Sequence, residues 1–239
     1  MSLTAHFKLH TVTFSSCSWE NLKTRRNRCS VSESVRILFI HQNFPGQYVH
    51  IIRRLAQQGQ HHLVALGINE LDRGRGIPEG LNHFRYRLDR GNTDGLHPLL
   101  METESKIIRA EGCARAAEQL KAQGFTPDLI CAHPGWGEPL FLKAIWPDTP
   151  LLCYQEFFYN EFGFDTNFDL EFEANRSWKE QAKLAMKNAY LHLTFEQADW
   201  NISPTHFQAS SFPKHWRQKL SVIHDGVDLH HARPNPSPA

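Results

Sequence analysis

What this chain has little of narrows it first. No apolar run comes near the roughly eighteen residues that a bilayer-spanning helix requires, although hydrophobic residues make up 41% of the 239. Charge of one sign is missing too. With 26 Lys and Arg against 25 Asp and Glu, the formal net charge is +1, which argues against nucleic-acid binding driven by bulk charge. Cysteine is scarce: Cys17, Cys29, Cys113, Cys131 and Cys153 form an odd, scattered set with no CxxC. That is the usage of a reducing cytosol, not of a secreted disulfide framework. Cys131 and Cys153 fall in apolar runs and are expected to be small buried hydrophobes. No metal is expected either. His6, His10, Cys17 and Cys29 lack zinc-site spacing, and the acids between 148 and 173 lack the Asp/Asn/Gly spacing of a calcium loop.

The chain divides by composition. Residues 1–34 are rich in Ser and Thr, carry the basic cluster Lys23-Thr-Arg-Arg-Asn-Arg28 and hold only Glu20 and Glu33 as acids. They resemble a transit peptide in composition, but read better as a disordered leader or a start codon placed too far upstream. Residues 35–229 alternate apolar runs with helical spacing. Residues 230–239, His230-His-Ala-Arg-Pro-Asn-Pro-Ser-Pro-Ala239, read as a disordered Pro-rich tail.

Val35 to Ile40 is a β-branched apolar run that suits a buried parallel strand. Phe44-Pro45-Gly46 breaks it, and Val49, Ile52, Leu55 and Ala56 then keep helical spacing until Gly59. Further strands are expected at 62–66, 82–87, 127–133, 150–154, 198–203 and 220–223. Helices are expected at 104–123, from 138 to about 146, at 174–193 and at 205–212, the 104–123 helix being amphipathic. A Gly-rich loop spans 72–80. Strands spaced by helices predict a doubly wound parallel sheet of Rossmann type with right-handed crossovers.

Ligands of such sheets bind outside the carboxyl ends of the strands, so three loops matter. The first, Asn43-Phe-Pro-Gly-Gln47, puts Pro45, Gly46 and Gln47 where backbone N–H groups can meet an anion or a sugar. It is not G-x-G-x-x-G, and Leu66-Gly67 rather than an acid ends the next strand, so a dinucleotide dehydrogenase is disfavoured. The second, His133-Pro-Gly-Trp-Gly-Glu138, offers an indole face (Trp136), close backbone approach (Gly135, Gly137), a carboxylate (Glu138) and a histidine able to donate a hydrogen bond or move a proton. The third runs from Tyr154 to Glu173. From Ala144 to Asn175 there is no Lys or Arg, and aromatics interleaved with carboxylates, Glu156 among them, suit a polyhydroxylated ligand.

Arg36-Ile-Leu-Phe-Ile-His-Gln-Asn-Phe-Pro-Gly-Gln47, Pro127-Asp-Leu-Ile-Cys-Ala-His-Pro-Gly-Trp-Gly-Glu138 and Ser221-Val-Ile-His-Asp-Gly-Val-Asp228 together resemble the N-terminal half of a family 4 glycosyltransferase of the GT-B fold. The resemblance covers about 35–229. It implies retaining transfer of a sugar from a nucleoside-diphosphate sugar to an acceptor hydroxyl, on a glycan or a lipid, without a metal. By that likeness Gly46 and Gln47 lie near the acceptor and the diphosphate, and His133 contacts the donor sugar. Trp136, Glu138 and Glu156 shape the pocket, and 222–228 crosses to a second domain. His224 and Asp225 stand where the family has Pro and Asn. Members grip the diphosphate with an Arg, a Lys and a Glu-x7-Glu pair of that second domain, and no glutamate of this chain has another eight positions later. The expectation is therefore half an enzyme, inactive alone, completed by a C-terminal domain on a separate chain. The alternatives are a non-catalytic glycan- or partner-binding half-module and a sugar-nucleotide epimerase. A cytoplasmic protein is expected, without nucleic-acid partners and with at most peripheral membrane contact through Arg53-Arg54 or the leader.

Overall fold

A computed structural model describes residues 34–71, 77–169, 171, 177–229 and 232–234. The expected leader (but for Ser34), most of the expected tail and residues 72–76 of the Gly-rich loop lie outside the described residues. Seven parallel strands, β1 (Arg36–Ile40), β2 (His62–Gly67), β3 (Asn82–Arg85), β4 (Leu129–Ala132), β5 (Leu151–Tyr154), β6 (Trp200–Ser203) and β7 (Leu220–Val222), form one sheet in the order β3-β2-β1-β4-β5-β6-β7. The helices are α1 (Val49–Gln58), α2 (Met101–Ala122), α3 (Leu142–Ile145), α4 (Trp178–Gln197) and α5 (His206–Ser211), with short 3-10 turns between. This is the Rossmann-like α/β fold the alternation predicts. Among the described residues no helix is long and apolar enough to cross a membrane.

The sheet is buried on both faces, so its strands alternate between two cores. Leu38 and Ile40 of β1, with Val64, Leu66, Ile130, Ala132 and Cys153, pack under α2 and α3, against Cys113, Ala117, Leu120, Leu142 and Trp146. Ile37, Phe39, Ala65, Cys131 and Tyr154 face the other way, against Phe44, Tyr48 and Ile52 of the first loop and α1. Cys131 and Cys153 are free and buried, as their apolar settings imply. At the amino edge Arg36 and Asp128 tie β1 to the start of β4 at 2.9 Å, an exposed pair worth at most about 1 kcal/mol.

Two helices depart from expectation. α2 starts three residues early, behind a 3-10 turn whose cap is His97. It is not amphipathic with one apolar stripe, because α3, α4 and the turn at Glu138–Phe141 all pack on it. Small residues answer that crowding: a Cβ on Gly112 would sit 2.6 Å from the Arg87 carbonyl oxygen. α4 spans 178–197 rather than 174–193. Ser177 caps it by accepting the Glu180 N–H, and its last turn is held by buried Phe195 and by Thr194, whose hydroxyl donates to the Tyr190 carbonyl.

Strand order reverses between β1 and β4: the chain runs outward through β2 and β3, then returns beside β1 as β4. Such a switch point is where an open α/β sheet leaves a crevice at its carboxyl edge. The loops leaving β1 and β4 are therefore adjacent.

Candidate functional site

His41 follows β1 and His133 follows β4. Because Ile40 pairs in register with Ala132, and the His133 N–H donates to the Ile40 carbonyl at 3.0 Å, the two rings meet edge to face at 5.1 Å. Trp136 closes on both, at 5.0 Å from His41 and 4.8 Å from His133. Tyr154, at the end of β5, stacks on His133 at 5.5 Å. The structure thus gathers residues from three adjacent strand ends into one aromatic cluster.

Both histidines are held the same way. His41 Nδ1 accepts the Asn43 N–H at 3.0 Å, and His133 Nδ1 accepts the Gly135 N–H at 3.1 Å. A ring nitrogen that accepts from a backbone donor carries no proton, so in the neutral ring the proton sits on Nε2. His41 Nε2 donates it to Gln47 Oε1 at 2.9 Å. His133 Nε2 faces Glu156 Oε2 at 3.5 Å, the outer limit of a hydrogen bond. Two glycines make room for these rings. A Cβ on Gly46 would lie 2.3 Å from His41 Nε2, and one on Gly135 would lie 2.6 Å from His133 Cε1. Gly46 also has φ +50°, a conformation that L side chains rarely adopt.

Burial pushes His41 down to about 4, with the charge of His133 adding to it. His41 is therefore a neutral, fully bonded pillar at neutral pH. The Glu156 carboxylate, half-exposed, is held below its ordinary value, chiefly by the hydrogen bond of His133. Burial raises the Tyr154 phenol, and its bond to Asp225 Oδ1, 2.7 Å long, raises it further. That bond ties the segment after β7 to the ring stacked on His133. A cavity of about 40 Å3, lined by His133, Glu156, Phe157, Tyr159 and Tyr190, opens beside the histidine, room for a water or one hydroxyl group.

α2 braces both loops. Arg109 Nε donates to Gln42 Oε1 at 2.8 Å and Lys106 Nζ to the Gly135 carbonyl at 2.7 Å; the Tyr190 hydroxyl of α4 also donates to that carbonyl, at 3.0 Å. Burial lowers the Lys106 ammonium below its ordinary value.

Of the residues expected from sequence, Gly46, Gln47, His133, Gly135, Trp136 and Glu156 come together at the switch point. Pro45 is buried in the same turn. Gln47 spends its carbonyl oxygen on His41 rather than on open space, and Gly137 is pressed against α2, where a Cβ would lie 2.5 Å from the Lys106 carbonyl oxygen. Glu138 lines no open pocket. It is fully enclosed, its Oε1 accepting the Tyr86 hydroxyl at 2.6 Å, and burial raises its carboxyl. The sequence assigned no site role to His41, Tyr154 or Asp225. The signal for His41 was present: it stands directly after its strand, as His133 does.

The third loop divides its aromatics. Phe158 packs with Phe212 and Trp216, while Phe162 and Phe168 are exposed. Among the described residues no group of His, Cys, Asp and Glu has the arrangement of a metal site.

The model of the glycosyl transferase family 4 group matches residues 59–232. None of the curated proteins matches the chain. Among solved structures, a UDP-glucosyltransferase from Polygonum tinctorium able to glucosylate indoxyl aligns over 87% of this chain and 56% of its own, with a TM-score of 0.51 and 8% identity. HepE of Anabaena, in complex with UDP and glucose, aligns over 84% of this chain and 47% of its own, at TM-score 0.47 and 16% identity. The UDP-GlcNAc 2-epimerase of Neisseria meningitidis, bound to UDP-GlcNAc, covers 79% and 45%, at 0.39 and 14%. The chain spans about half the length of these structures.

Proposed function

Because the chain belongs to the glycosyl transferase family 4 group, we propose that residues 34–229 form the histidine-bearing wall of a glycosyl-transfer site that takes a nucleoside-diphosphate sugar as donor. In the reaction an acceptor hydroxyl oxygen bonds to the anomeric carbon, with retention. The bond from that carbon to the diphosphate oxygen breaks with its electron pair, and the hydroxyl proton follows to the departing diphosphate. The single observation that carries this reading is the His133–Glu156 pair at the switch point. With Nδ1 committed to the Gly135 N–H, His133 serves as an Nε2–H donor to an oxygen of the donor sugar, which takes that hydrogen in place of the Glu156 carboxylate 3.5 Å away. The diphosphate grip belongs to a second domain outside residues 34–229, and the cytoplasm is where such a donor is met.

The test uses His133→Asn, whose side-chain oxygen can still accept the Gly135 N–H while the Nε2 donor is gone. Turnover of a panel of UDP- and GDP-sugars is measured with a donor-binding domain of the same family added. Loss of one such donor lowers the rate about 10²-fold; wild-type turnover in His133→Asn would overturn the assignment. Rapid turnover by the chain alone would overturn the half-site reading.

A further inference from the structure

A cavity of about 460 Å3 lies outside the histidine cluster, between the turn leading into α2 and the face of α4. Its volume is in the range of small-molecule sites, roughly 300–1,000 Å3. Part of its polar lining is engaged within the protein. Glu180 pairs with Lys183 at 2.7 Å, Glu161 Oε1 accepts from Gln181 at 3.0 Å, and Asn167 Nδ2 donates to the Glu161 carbonyl at 2.9 Å. Apolar side chains face each other across it, Leu99 and Met101 from one wall and Leu184 and Met186 from the other. Thioether side chains adapt to ligands of irregular apolar shape, and two of the three methionines in the chain line this one cavity.

Side chains link the cavity to the histidine site. Lys187, part of its lining, holds Nζ 3.4 Å from the centre of the Tyr159 ring, and Tyr159 lines the small cavity beside His133. Glu102, also in the lining, lies 3.9 Å from Lys106, whose ammonium holds the Gly135 carbonyl. We propose that this cavity seats the apolar part of an amphipathic alcohol, the acceptor of the transfer, with its hydroxyl end directed past Tyr159 towards Glu156 and His133. As an acceptor site it rests on the glycosyl-transfer reading; as a binding site for amphiphiles it stands alone. A free glycan suits the cavity less well, since Leu99, Met101, Leu184 and Met186 give it apolar walls on both sides.

The methionines supply the test. The full chain is labelled with [methyl-13C]methionine, its three signals are assigned with Met101→Leu and Met186→Leu, and n-octyl β-D-glucopyranoside is titrated below its micelle concentration. Saturable shifts of Met101 and Met186 with Met1 unmoved, lost in Leu184→Trp at unchanged melting temperature, are expected. If Leu184→Trp fails to fold, Leu99→Trp takes its place from the opposite wall. Absence of shifts, or equal shifts with glucose alone, would overturn the amphiphile assignment. Shifts with UDP would make the cavity a donor site and overturn it too. Octyl glucoside binding alongside unaltered turnover in His133→Asn would leave this cavity standing and sink the histidine assignment instead.

Discussion

Protonation of His41 should weaken the fold on the acid side. Its folded value of about 4 stands against an ordinary value of 6.5. The unfolded chain therefore binds more protons between those values, and stability is complete above pH 6.5 and falls as the pH drops towards 4. A difference of 2.5 units at about 1.4 kcal/mol each gives a total of about 3 kcal/mol, of which about 2 kcal/mol is gone by pH 5. The structural cause is plain. Protonated, His41 would carry a charge inside a ring cluster 5.1 Å from His133, and Nδ1–H would point at the Asn43 N–H it now accepts from.

The variant that isolates this contribution is His41→Asn. Asn is uncharged over the whole range, and its side-chain oxygen can take the place of Nδ1 as acceptor for the Asn43 N–H. The variant loses the Gln47 bond and ring packing, so it is less stable throughout. The informative quantity is the slope. Glu156 and His192 also lie below their ordinary values and weaken the fold on the acid side, so the wild-type slope is a sum and the His41 share is a difference. Urea midpoints at pH 8, 6.5 and 5 should show wild type losing about 2 kcal/mol more than His41→Asn by pH 5. Parallel pH profiles in the two proteins would refute the account of His41 as a buried neutral pillar.

Three further outcomes follow from the same geometry. Gly46→Ala must clear a contact of 2.3 Å with His41 as well as adopt φ +50°, whereas Gly59→Ala, at φ +64°, meets nothing within 4 Å. Gly59→Ala should cost about 1 kcal/mol and Gly46→Ala at least about 3 kcal/mol by thermal or urea unfolding. Tyr154→Phe should lose about 1 kcal/mol and speed amide hydrogen exchange at Gly226, whose N–H bonds to His224 in the segment that Asp225 anchors. Glu138 is raised by burial, so its contribution is present below the unfolded value and lost as the pH rises. Glu138→Gln should accordingly lose less stability than wild type between pH 4.5 and pH 7.5, a trend that a pH series of urea midpoints reads directly.

The order of elements was legible because parallel strands buried on both faces are continuous apolar runs, and Val35 to Ile40 or Leu129 to Ala132 resemble little else. Helix limits were less so: α2 is packed from several sides, which erases the single stripe that periodicity looks for, and α4 is set by Ser177 and Phe195 rather than by spacing. The site was half legible. Chemically distinctive residues at strand ends, His133 and Trp136 with the glycines about them, announce themselves. Glu138 misled because a carboxylate next to a glycine turn looks available, and only the tertiary contact with Tyr86 encloses it. Tyr154 reads as a strand residue, and its link to Asp225 joins positions 71 apart in sequence.

The three histidines that follow strands of this sheet share one device. His41 after β1, His133 after β4 and His224 after β7 each use Nδ1 to accept the N–H of the residue two positions on. The lone pair that would make imidazole a base is spent on the backbone, and the free function of each neutral ring is the Nε2–H. A carboxyl edge furnished this way offers donors, not bases. Gln47 consumes the first, Glu156 faces the second, and His224 stands exposed on the segment that Tyr154 anchors. Donors at a strand edge suit ligands rich in acceptor oxygens, as sugars and phosphates are, and suit a reaction whose proton moves between acceptor and leaving group rather than through the protein. The same logic explains why Gly46 and Gly135 are glycines: an imidazole folded back on its own loop to reach an N–H two residues ahead occupies the space where a neighbouring Cβ would stand.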